Sequence, residues 1–479
     1  MRLAAQSCQL AAFFYLQPMT KNKLGLLDLT MIVISFVIGM GIFRTPVNVA
    51  AATPTPFIFY LCWIAGGVVA LCGALTYAEI GSRLPVTGGY YKVFAYAYHP
   101  SIAFAINCII LVSNAASMAA VALVGSEYIS SVLFPLSKDA AYMQVEANAA
   151  YIKTVQIVIA LVAIAIFYTV NLLGLRMSAR TQTVLMAIKI GMMLLLIAPL
   201  FFAVNETAAV SPLIGNDMQP ALREYIKAFG IGLIAVSFSY GGYQQTINFG
   251  EEIDKPNKNI PRGIFIGIFV IISLYMLINL AYVKVIGFEE LKTSENIAAI
   301  MAAKVFGAQA ERIVSVFIFL GVLAYINAVL LSNPRVMYAM SQDKILPQSF
   351  TKRNSREALT LALTLFAGAG ALIVFWAQEF DKILSFTIFL DCFGMALSAG
   401  SIFIIRKRTS YLNDTGIFSM KLYPLLPIIF IIAYLFVAIS IALDYRNNNY
   451  AALVGLGVLA FFVILYFLVK KLRPATEKE

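Results

Sequence analysis

Charged residues are scarce in this chain. Asp, Glu, Lys and Arg make up 12% of its 479 residues, whereas hydrophobic residues make up 61%. A soluble domain carries about twice that charged fraction. Apolar runs of about 20 residues recur along the whole sequence, and each is long enough to cross a bilayer. The composition therefore predicts an all-α integral membrane protein and excludes a soluble domain between the apolar runs.

Histidine and cysteine are rare as well. The single histidine, His99, belongs to no cluster with metal-ligand spacing, so the sequence predicts no metal site and no cofactor. The apolar runs contain no nucleophile paired with a base, which argues against an enzyme and leaves no candidate catalytic residue. The five cysteines are Cys8, Cys62, Cys72, Cys108 and Cys392. None of them falls in a predicted outer loop, which excludes an extracellular disulfide framework.

Twelve apolar runs are predicted to be transmembrane spans. They cover residues 28–54, 56–81, 93–125, 151–173, 180–204, 224–250, 260–286, 312–341, 358–377, 381–405, 421–443 and 449–471. Lysine and arginine are more than twice as frequent in the segments on one side of these spans as on the other. The positive-inside rule places the richer side, with both termini, in the cytoplasm. The net charge of +11 therefore reflects the topology of a multi-pass plasma-membrane protein, and we expect no nucleic-acid partner.

Two glycine pairs interrupt apolar runs about 200 residues apart. The first is Gly39-Met40-Gly41, and the second is Gly241-Gly242. Such pairs break a helix, and a break inside a membrane is tolerated only where protein covers it or it lines a cavity. Breaks at matching positions in the two halves of a chain indicate the substrate site of a transporter. Close helix packing at the same glycines is the alternative interpretation.

The breaks divide the chain into two halves. Each half opens with a glycine-broken span and contains five spans, so the second half has inverted topology. The predicted domains are a cytoplasmic N-terminal segment (1–27), a first five-helix repeat (28–204), a second five-helix repeat (205–405), and two peripheral helices with a basic tail (406–479). Residues 1–18 contain an apolar stretch too short to span a membrane, and we expect them to be dispensable.

Several short motifs accompany the two breaks. The most specific is Asn-Phe-Gly-Glu-Glu-Ile-Asp-Lys-Pro at 248–256, directly after the second break. The others are Gly-Ala-Leu-Thr-Tyr-Ala-Glu-Ile-Gly at 73–81, Pro-Val-Thr-Gly-Gly-Tyr at 85–90, Arg-Thr-Gln at 180–182 with Lys189 nine residues after the arginine, Asn-Leu-Ala-Tyr at 279–282, and Ser-Asn-Pro-Arg at 332–335. Together they resemble the amino acid–polyamine–organocation superfamily, and most closely its L-type-like amino acid permeases.

The resemblance implies a LeuT-like fold, with five plus five inverted repeats, broken helices one and six, and two peripheral helices. It also implies a substrate at the bilayer midplane, between spans one, three, six and eight. The candidate substrate-binding residues are Gly39, Met40, Gly41, Ile42, Phe238, Ser239, Tyr240, Gly241 and Gln244. The free N–H groups of the half-helix that begins near Ile42 suit a carboxylate, and the carbonyls that end the outer half of span six suit an ammonium.

Four residues are candidates for gating or coupling. Phe238 resembles the aromatic gate of the family, and Asn279 and Tyr282 are expected near the outer gate or the pocket. Lys189 lies within a span, where an ammonium must face the bundle interior. The resemblance places it against the inner half of span one, where it would replace the sodium ion of sodium-coupled relatives. A lysine that reaches to the membrane surface is the alternative.

Other charged residues are expected at the cytoplasmic ends of the spans. Glu79 with Arg83, and Glu251 and Glu252 with Arg335, are predicted to form ion pairs that close an inner gate. Two further charged residues within the spans have open roles. Arg44, which follows the first break, is expected either to help hold a carboxylate or to act at a gate or vestibule. Asp391 is expected to pair with a cation or to cap a helix, and it is not assigned to the substrate.

The sequence as a whole predicts a secondary active transporter of neutral L-amino acids. Met40 takes the place of a small polar residue of the resembled family, and with the region of Phe238 it predicts an apolar pocket without an acid for a cationic side chain. Transport is expected to be sodium-independent, by proton symport or by amino acid exchange. The alternatives are a non-transporting amino acid receptor on the same fold, and a carrier for cationic amino acids or polyamines.

The substrate and the lipid bilayer are the partners that the sequence predicts. The loop at 136–153, between spans three and four, contains no cysteine that could form a disulfide bond with a heavy chain. We therefore expect the chain to act without such a subunit, as a monomer.

Overall fold

The protein is helical throughout the part of the chain that its structure describes. The structure, a computed structural model, describes residues 23–39, 41–134, 142–202, 222–294, 296–375, 380–413, 416–443 and 451–472. Within these residues extended backbone pairs only at two isolated bridges, Leu24 with Ile253 and Thr87 with Phe249. Met40 and the predicted dispensable segment 1–18 lie outside the described residues.

Sixteen α-helices follow one another along the described residues. In chain order they are α1 (Leu26–Val37), α2 (Gly41–Ala52), α3 (Pro56–Arg83), α4 (Gly89–Ala97), α5 (Pro100–Leu133), α6 (Tyr142–Leu172), α7 (Leu175–Ile197), α8 (Leu222–Tyr240), α9 (Pro256–Ile286), α10 (Phe288–Leu291), α11 (Ile297–Phe306), α12 (Ala308–Gln342), α13 (Thr360–Val374), α14 (Phe380–Arg408), α15 (Leu425–Leu443) and α16 (Ala451–Leu472). Short 3-10 turns connect several of them.

Nine helical segments of the described residues are long and apolar enough to cross a membrane. They are Leu26–Ala52, Pro56–Arg83, Pro100–Leu133, Ala150–Leu172, Leu175–Phe201, Pro256–Ile286, Gln309–Gln342, Phe389–Arg408 and Leu425–Leu443. A helix also lies at the position of each remaining predicted span, where α8, α13 and α16 are found. The chain is therefore an all-helical membrane protein with several spans.

The third predicted span is wrong in its boundaries. Residues 93–125 were expected to form one helix, whereas the chain forms the short α4 and then begins α5 at Pro100. Proline is favoured at the first helical position, because its missing N–H would have no partner there. The His99 side chain caps the same helix and accepts a hydrogen bond from the Ser101 N–H at 3.2 Å. The apolar run predicts one continuous helix, whereas the proline and the cap start a second helix at this point.

Both glycine pairs interrupt their helices. α1 ends at Val37, and α2 begins at Gly41 after a bend. α8 ends at Tyr240, but the chain then continues through Gly241 and Gly242 into a 3-10 helix, Tyr243–Asn248, and no α-helical inner half follows. The first break therefore joins two α-helices, whereas the second joins an α-helix to a tighter and thinner segment.

Candidate functional site

The two broken segments cross each other at their glycines. A Cβ at Gly41 would lie 2.7 Å from Ser239 Oγ and 3.1 Å from Ser239 Cα. Gly242 has a φ of +112°, and a Cβ there would lie 2.3 Å from the carbonyl oxygen of Phe36. A side chain at either glycine would separate the two segments. These glycines therefore allow close packing of the two broken segments, which was the alternative interpretation of the glycine pairs.

The crossing brings together the start of one helix and the end of another. α2 starts at Gly41, and the N–H groups of its first turn have no acceptor within the helix. α8 ends at Tyr240, and the carbonyls of its last turn have no donor within the helix. The helix dipoles add positive potential at the first end and negative potential at the second. The region therefore offers backbone donors and backbone acceptors to a ligand that carries both charges.

Tyr275 of α9 ties the two breaks to each other. Its hydroxyl lies 3.0 Å from the carbonyl oxygen of Val37 and 3.2 Å from that of Ser239, so one O–H is shared between the two ends. The ring is fully buried and packs on the rings of Trp63 and Tyr240. Sequence reasoning missed Tyr275. The available signal was its position one helical turn before Asn279, whose amide donates to the Tyr275 carbonyl at 2.7 Å.

Lys189 of α7 holds the first break from the opposite side. Its side chain is 1% exposed, and its ammonium donates a hydrogen bond to the carbonyl oxygen of Ile38, the residue directly after α1. The aliphatic part of Lys189 packs on α12, where a Cβ at Gly321 would lie 2.6 Å from Lys189 Cε. The ammonium thus lies in the bundle interior between α1 and α12, and it does not reach to the membrane surface.

A network of polar side chains continues from this region. Asn327 of α12 donates to Gln182 Oε1 at 2.6 Å and accepts from Asn171 at 2.9 Å and from Ser178 at 3.0 Å. Gln182 donates in turn to the Ser35 hydroxyl of α1. All five side chains are buried. The network therefore fastens α1, α6, α7 and α12 together beside the first break.

A cavity of about 80 Å³ lies where the two breaks meet. α5, α12, α14 and α15 complete its wall, so the helices at predicted spans one, three, six and eight all contribute. Its volume is about half that of a cavity that binds benzene, which measures about 150 Å³.

The structure brings some of the predicted binding residues to this cavity and leaves others out. Those that line it are Gly39, Gly41, Gly241 and Gln244. Ile42 is fully buried behind the break, and the Ser239 hydroxyl is buried beside Gly41 without a hydrogen-bond partner. Met40 lies outside the described residues; the described part of Phe238 is its backbone in α8, so its side chain is outside them too.

Tyr240, Asn279 and Tyr282 do not line this cavity. Tyr240 packs on Trp63, and its hydroxyl lies 3.4 Å from the Trp63 carbonyl oxygen. Asn279 and Tyr282 are fully buried in α9, and Asn279 Oδ1 and the Tyr282 hydroxyl have no hydrogen-bond partner. The direction of its side chain explains the difference for Tyr240, because it leaves α8 on the face that packs against Trp63 of α3.

Asp391 corrects the expectation that no acid lies at the pocket. It is a half-buried residue of α14 that lines the cavity, and Ser113 Oγ of α5 lies 3.5 Å from its Oδ1. Sequence reasoning noticed the charge but could not place it, because no motif surrounds it. The other polar cavity residues that sequence reasoning missed are Asn114, Ser117, Ser237, Gln245, Tyr325 and Tyr434.

Comparison with known proteins identifies the family of this fold and site. The family model described as amino acid permease matches residues 24–468, which include both breaks and every residue that lines the cavity. The chain belongs to the amino acid permease family. Amino acid transport across a membrane is therefore the function that family membership gives it.

Characterised relatives of this permease match over almost its whole length. The serine/threonine exchanger SteT of Bacillus subtilis (strain 168) is 27% identical over 471 residues, which cover 95% of this chain and 98% of the exchanger. The cystine/glutamate transporter of Homo sapiens is 26% identical, with 93% of this chain and 85% of that protein covered. The large neutral amino acids transporter small subunit 2 of Homo sapiens is 24% identical, with 94% and 80% covered. All three are named for transport and none for an enzymatic reaction.

The family motifs of the permease meet at one end of the bundle, which we call the ion-paired end. Arg335 Nε lies 2.6 Å from Glu252, and Arg83 Nε lies 2.7 Å from Glu79. These two predicted ion pairs are confirmed. Glu251, which was expected to share Arg335, instead accepts a hydrogen bond from the Thr87 hydroxyl at 3.1 Å.

Arg406 is a basic residue at the ion-paired end that sequence reasoning missed. Arg406 of α14 lies 2.6 Å from the fully buried Glu79, which also accepts from the Met420 N–H at 2.9 Å. Two arginines and a backbone donor therefore satisfy one buried carboxylate, and removal of either arginine would leave its charge poorly compensated.

Proposed function

We propose that this permease moves small to medium neutral L-amino acids across the plasma membrane by alternating access, without sodium. The observation that supports it most is the crossing of the two breaks at one small cavity. A zwitterion needs donors for its carboxylate and acceptors for its ammonium, and the crossing offers both from the backbone alone.

Each charge of the substrate has a place in this proposal. The carboxylate binds the N–H groups at the start of α2, near Gly41 and Ile42, and the ammonium binds carbonyls at the end of α8, from Phe238 to Gly241. Met40 and Phe238 cover the bound substrate, and Phe238 acts as the gate. Asn279 and Tyr282 are proposed to act on the outer gate from within α9, where Asn279 donates to the carbonyl of Tyr275, the residue that contacts both breaks.

The proposed architecture has twelve spans. Residues 28–204 and 205–405 form two inverted five-span repeats, 406–479 add two peripheral spans and a tail, and 1–27 precede them. The ion-paired end faces the cytoplasm with both termini, because the basic residues concentrate on that side. Its ion pairs close the inner gate, and the chain works as a monomer without a heavy chain.

Sodium independence is proposed from the position of Lys189. Its ammonium already places one positive charge on the Ile38 carbonyl between α1 and α12, so a sodium ion has no need to bind there. Proton symport and amino acid exchange both remain compatible with this arrangement. The relative named as a serine/threonine exchanger favours exchange.

Uptake into proteoliposomes that contain the purified full chain tests the proposal. Labelled L-alanine should accumulate, unlabelled L-serine and L-leucine should compete with it, and choline should replace sodium without effect. Accumulation should require either amino acid inside the vesicle or an inward proton gradient. Binding without any accumulation would support the receptor alternative instead. A preference for L-arginine or spermidine, or accumulation driven by a sodium gradient, would contradict the proposal.

A further inference from the structure

We propose that Asp391 and Gln245 form an acceptor pair that recognises a hydrogen-bond donor on the side chain of the substrate. This inference rests on the proposed function and narrows it to small L-amino acids whose side chain carries an O–H or an N–H group. The pair lies in the same cavity as the two breaks, on residues to which the backbone recognition of the zwitterion assigns no role.

Asp391 is an acid without a basic partner in the cavity. Among the described residues that line the cavity, none is a lysine, arginine or histidine, and the ion pairs of the described residues do not include Asp391. The hydrogen bond from Ser113 is long, at 3.5 Å. An acid within a membrane span is costly unless a donor compensates it. A donor group of the ligand would supply that compensation.

Hydrogen bonds among three side-chain amides fix the orientation of Gln245, so that its oxygen is the free acceptor. Asn333 donates to the carbonyl oxygen of Val329 at 2.8 Å, and a carbonyl can only accept, so Asn333 Oδ1 must be the atom that faces Asn114. Asn114 donates to that oxygen at 2.7 Å and accepts from Gln245 Nε2 at 3.1 Å. The orientation of all three amides is thereby fixed. Gln245 Oε1 is left as an acceptor, and it is buried without a hydrogen-bond partner.

Consecutive residues of α5 hold the two acceptors. Ser113 contacts Asp391, and Asn114 contacts Gln245, so the carboxylate and the amide oxygen lie beside the same turn of α5. Because Asp391 belongs to α14 and Gln245 follows the second break, the pair joins two separate walls of the cavity. In this proposal a donor on the β or γ atom of the substrate binds between these two acceptors.

A site built to accept a hydrogen bond discriminates strongly against a ligand that lacks the donor, because the acceptors are then left unpaired. L-serine should therefore bind better than L-alanine, and L-threonine better than L-valine. A hydrogen bond to a charged group corresponds to a preference of about tenfold to a hundredfold. O-methyl-L-serine, which keeps the oxygen and loses the donor, should bind no better than L-alanine.

Competition binding tests the inference without any need for transport. The purified full chain is used in detergent, and binding is measured with labelled L-serine or by the thermal shift that each amino acid causes. In Asp391→Leu affinity for L-serine should fall by more than affinity for L-alanine, so that the preference for L-serine drops to about threefold or less. In Asp391→Asn the amide oxygen still accepts, so the preference for L-serine should largely remain.

Ser401→Ala is the matched control. Ser401 lies on the same helix, α14, its hydroxyl donates to the Ser398 carbonyl oxygen, and its side chain does not line the cavity, so the ratio of L-serine to L-alanine affinity should be kept. Equal binding of L-serine, L-alanine and O-methyl-L-serine by the unmodified chain would overturn the inference, and that measurement needs no variant to fold. An unchanged ratio in Asp391→Leu would overturn it as well. Binding with the expected ratios but without uptake would leave the acceptor pair intact and contradict the proposed transport.

Discussion

The two chain breaks come from the same kind of sequence signal but are held in different ways. At the first break an α-helix stops and another starts, and the carbonyl of Ile38 between them accepts from the Lys189 ammonium. The contact joins a flexible side chain to the backbone, and it can be released and remade by rotation of the lysine side chain.

The second break is held by backbone against backbone. Gly242 lies against the Phe36 carbonyl oxygen at a positive φ, and its N–H donates to Gln244 Oε1 at 2.9 Å. The packing of Gly242 on the Phe36 carbonyl has no side chain that can rotate away, although the Gln244 amide and the Tyr275 hydroxyl also contact this break. A glycine pair in the sequence therefore predicts that a helix is broken, but it does not predict which contacts stabilise the break. We therefore expect the first break to be sensitive to its lysine and the second to its glycine.

The largest effect is expected for Gly242→Ala. A non-glycine residue at this φ is strained by about 1–3 kcal/mol, and the new Cβ would lie 2.3 Å from the Phe36 oxygen. We expect loss of transport and a clear fall in thermal stability, measured by uptake and by fluorescence-detected unfolding in detergent. Gly307→Ala is the matched control, because Gly307 also has a positive φ, +86°, but has nothing within 4 Å of the Cβ position. Equal losses in both variants would show that strain alone matters and that the crossing does not.

Lys189→Ala should have the next largest effect. The Ile38 carbonyl would lose a charge-assisted hydrogen bond, which corresponds to about 1.5–3 kcal/mol, and turnover should fall about tenfold to a hundredfold. Expression and membrane insertion should change much less than uptake. Lys284→Ala is the control, since that exposed lysine also donates to a carbonyl, of Leu200, away from the breaks. Normal turnover in Lys189→Ala would mean that the first break does not depend on the ammonium.

Tyr275→Phe should have an intermediate effect on both breaks together. The variant keeps the buried ring and removes the hydroxyl shared by the Val37 and Ser239 carbonyls. Loss of one buried donor costs about 1–3 kcal/mol, so we expect roughly a tenfold loss of substrate affinity. Tyr98→Phe removes a comparable hydroxyl bond, to the Leu397 carbonyl at 2.7 Å, and should leave affinity unchanged. Matching losses in the two variants would argue against a specific role of Tyr275.

The smallest effect is expected for Gly39→Ala. Its Cβ would lie 3.7 Å from Tyr325, an ordinary contact, so the fold should accept it. The added methyl would occupy part of the cavity, and one methyl group corresponds to about 0.8 kcal/mol, or about fourfold in affinity. L-leucine should lose more affinity than L-alanine in competition assays. Gly191→Ala, which meets nothing within 4 Å, should leave both affinities unchanged. Improved binding of the larger ligand would place the substrate away from Gly39.

The helices and their breaks could be predicted from the sequence because both are local properties. An apolar run of about 20 residues and a glycine pair are each read within one segment. The boundary of the third predicted span was wrong because two local signals compete there. The apolar run favours one helix, whereas Pro100 and the His99 cap begin a new one.

The side chains around the cavity could be predicted only in part. Gly39, Gly41, Gly241 and Gln244 belong to the breaks themselves, so their place follows from the motifs. Asp391 lies far along the chain from them, and its position depends on how α14 packs against α5. No spacing within one segment contains that information.

The polar network around Asn327 has a consequence for the biosynthesis of this permease. Asn171, Ser178 and Gln182 precede Asn327 by 145 to 156 residues, so the ribosome completes α6 and α7 well before their partner in α12 exists. Asn171, Ser178 and Gln182 also have partners within the first half of the chain, namely the Phe167 carbonyl, Asn171 Oδ1 and the Ser35 hydroxyl. The polar contacts among α1, α6 and α7 can therefore form during synthesis of the first half, and only the link to Asn327 has to wait until α12 enters the membrane.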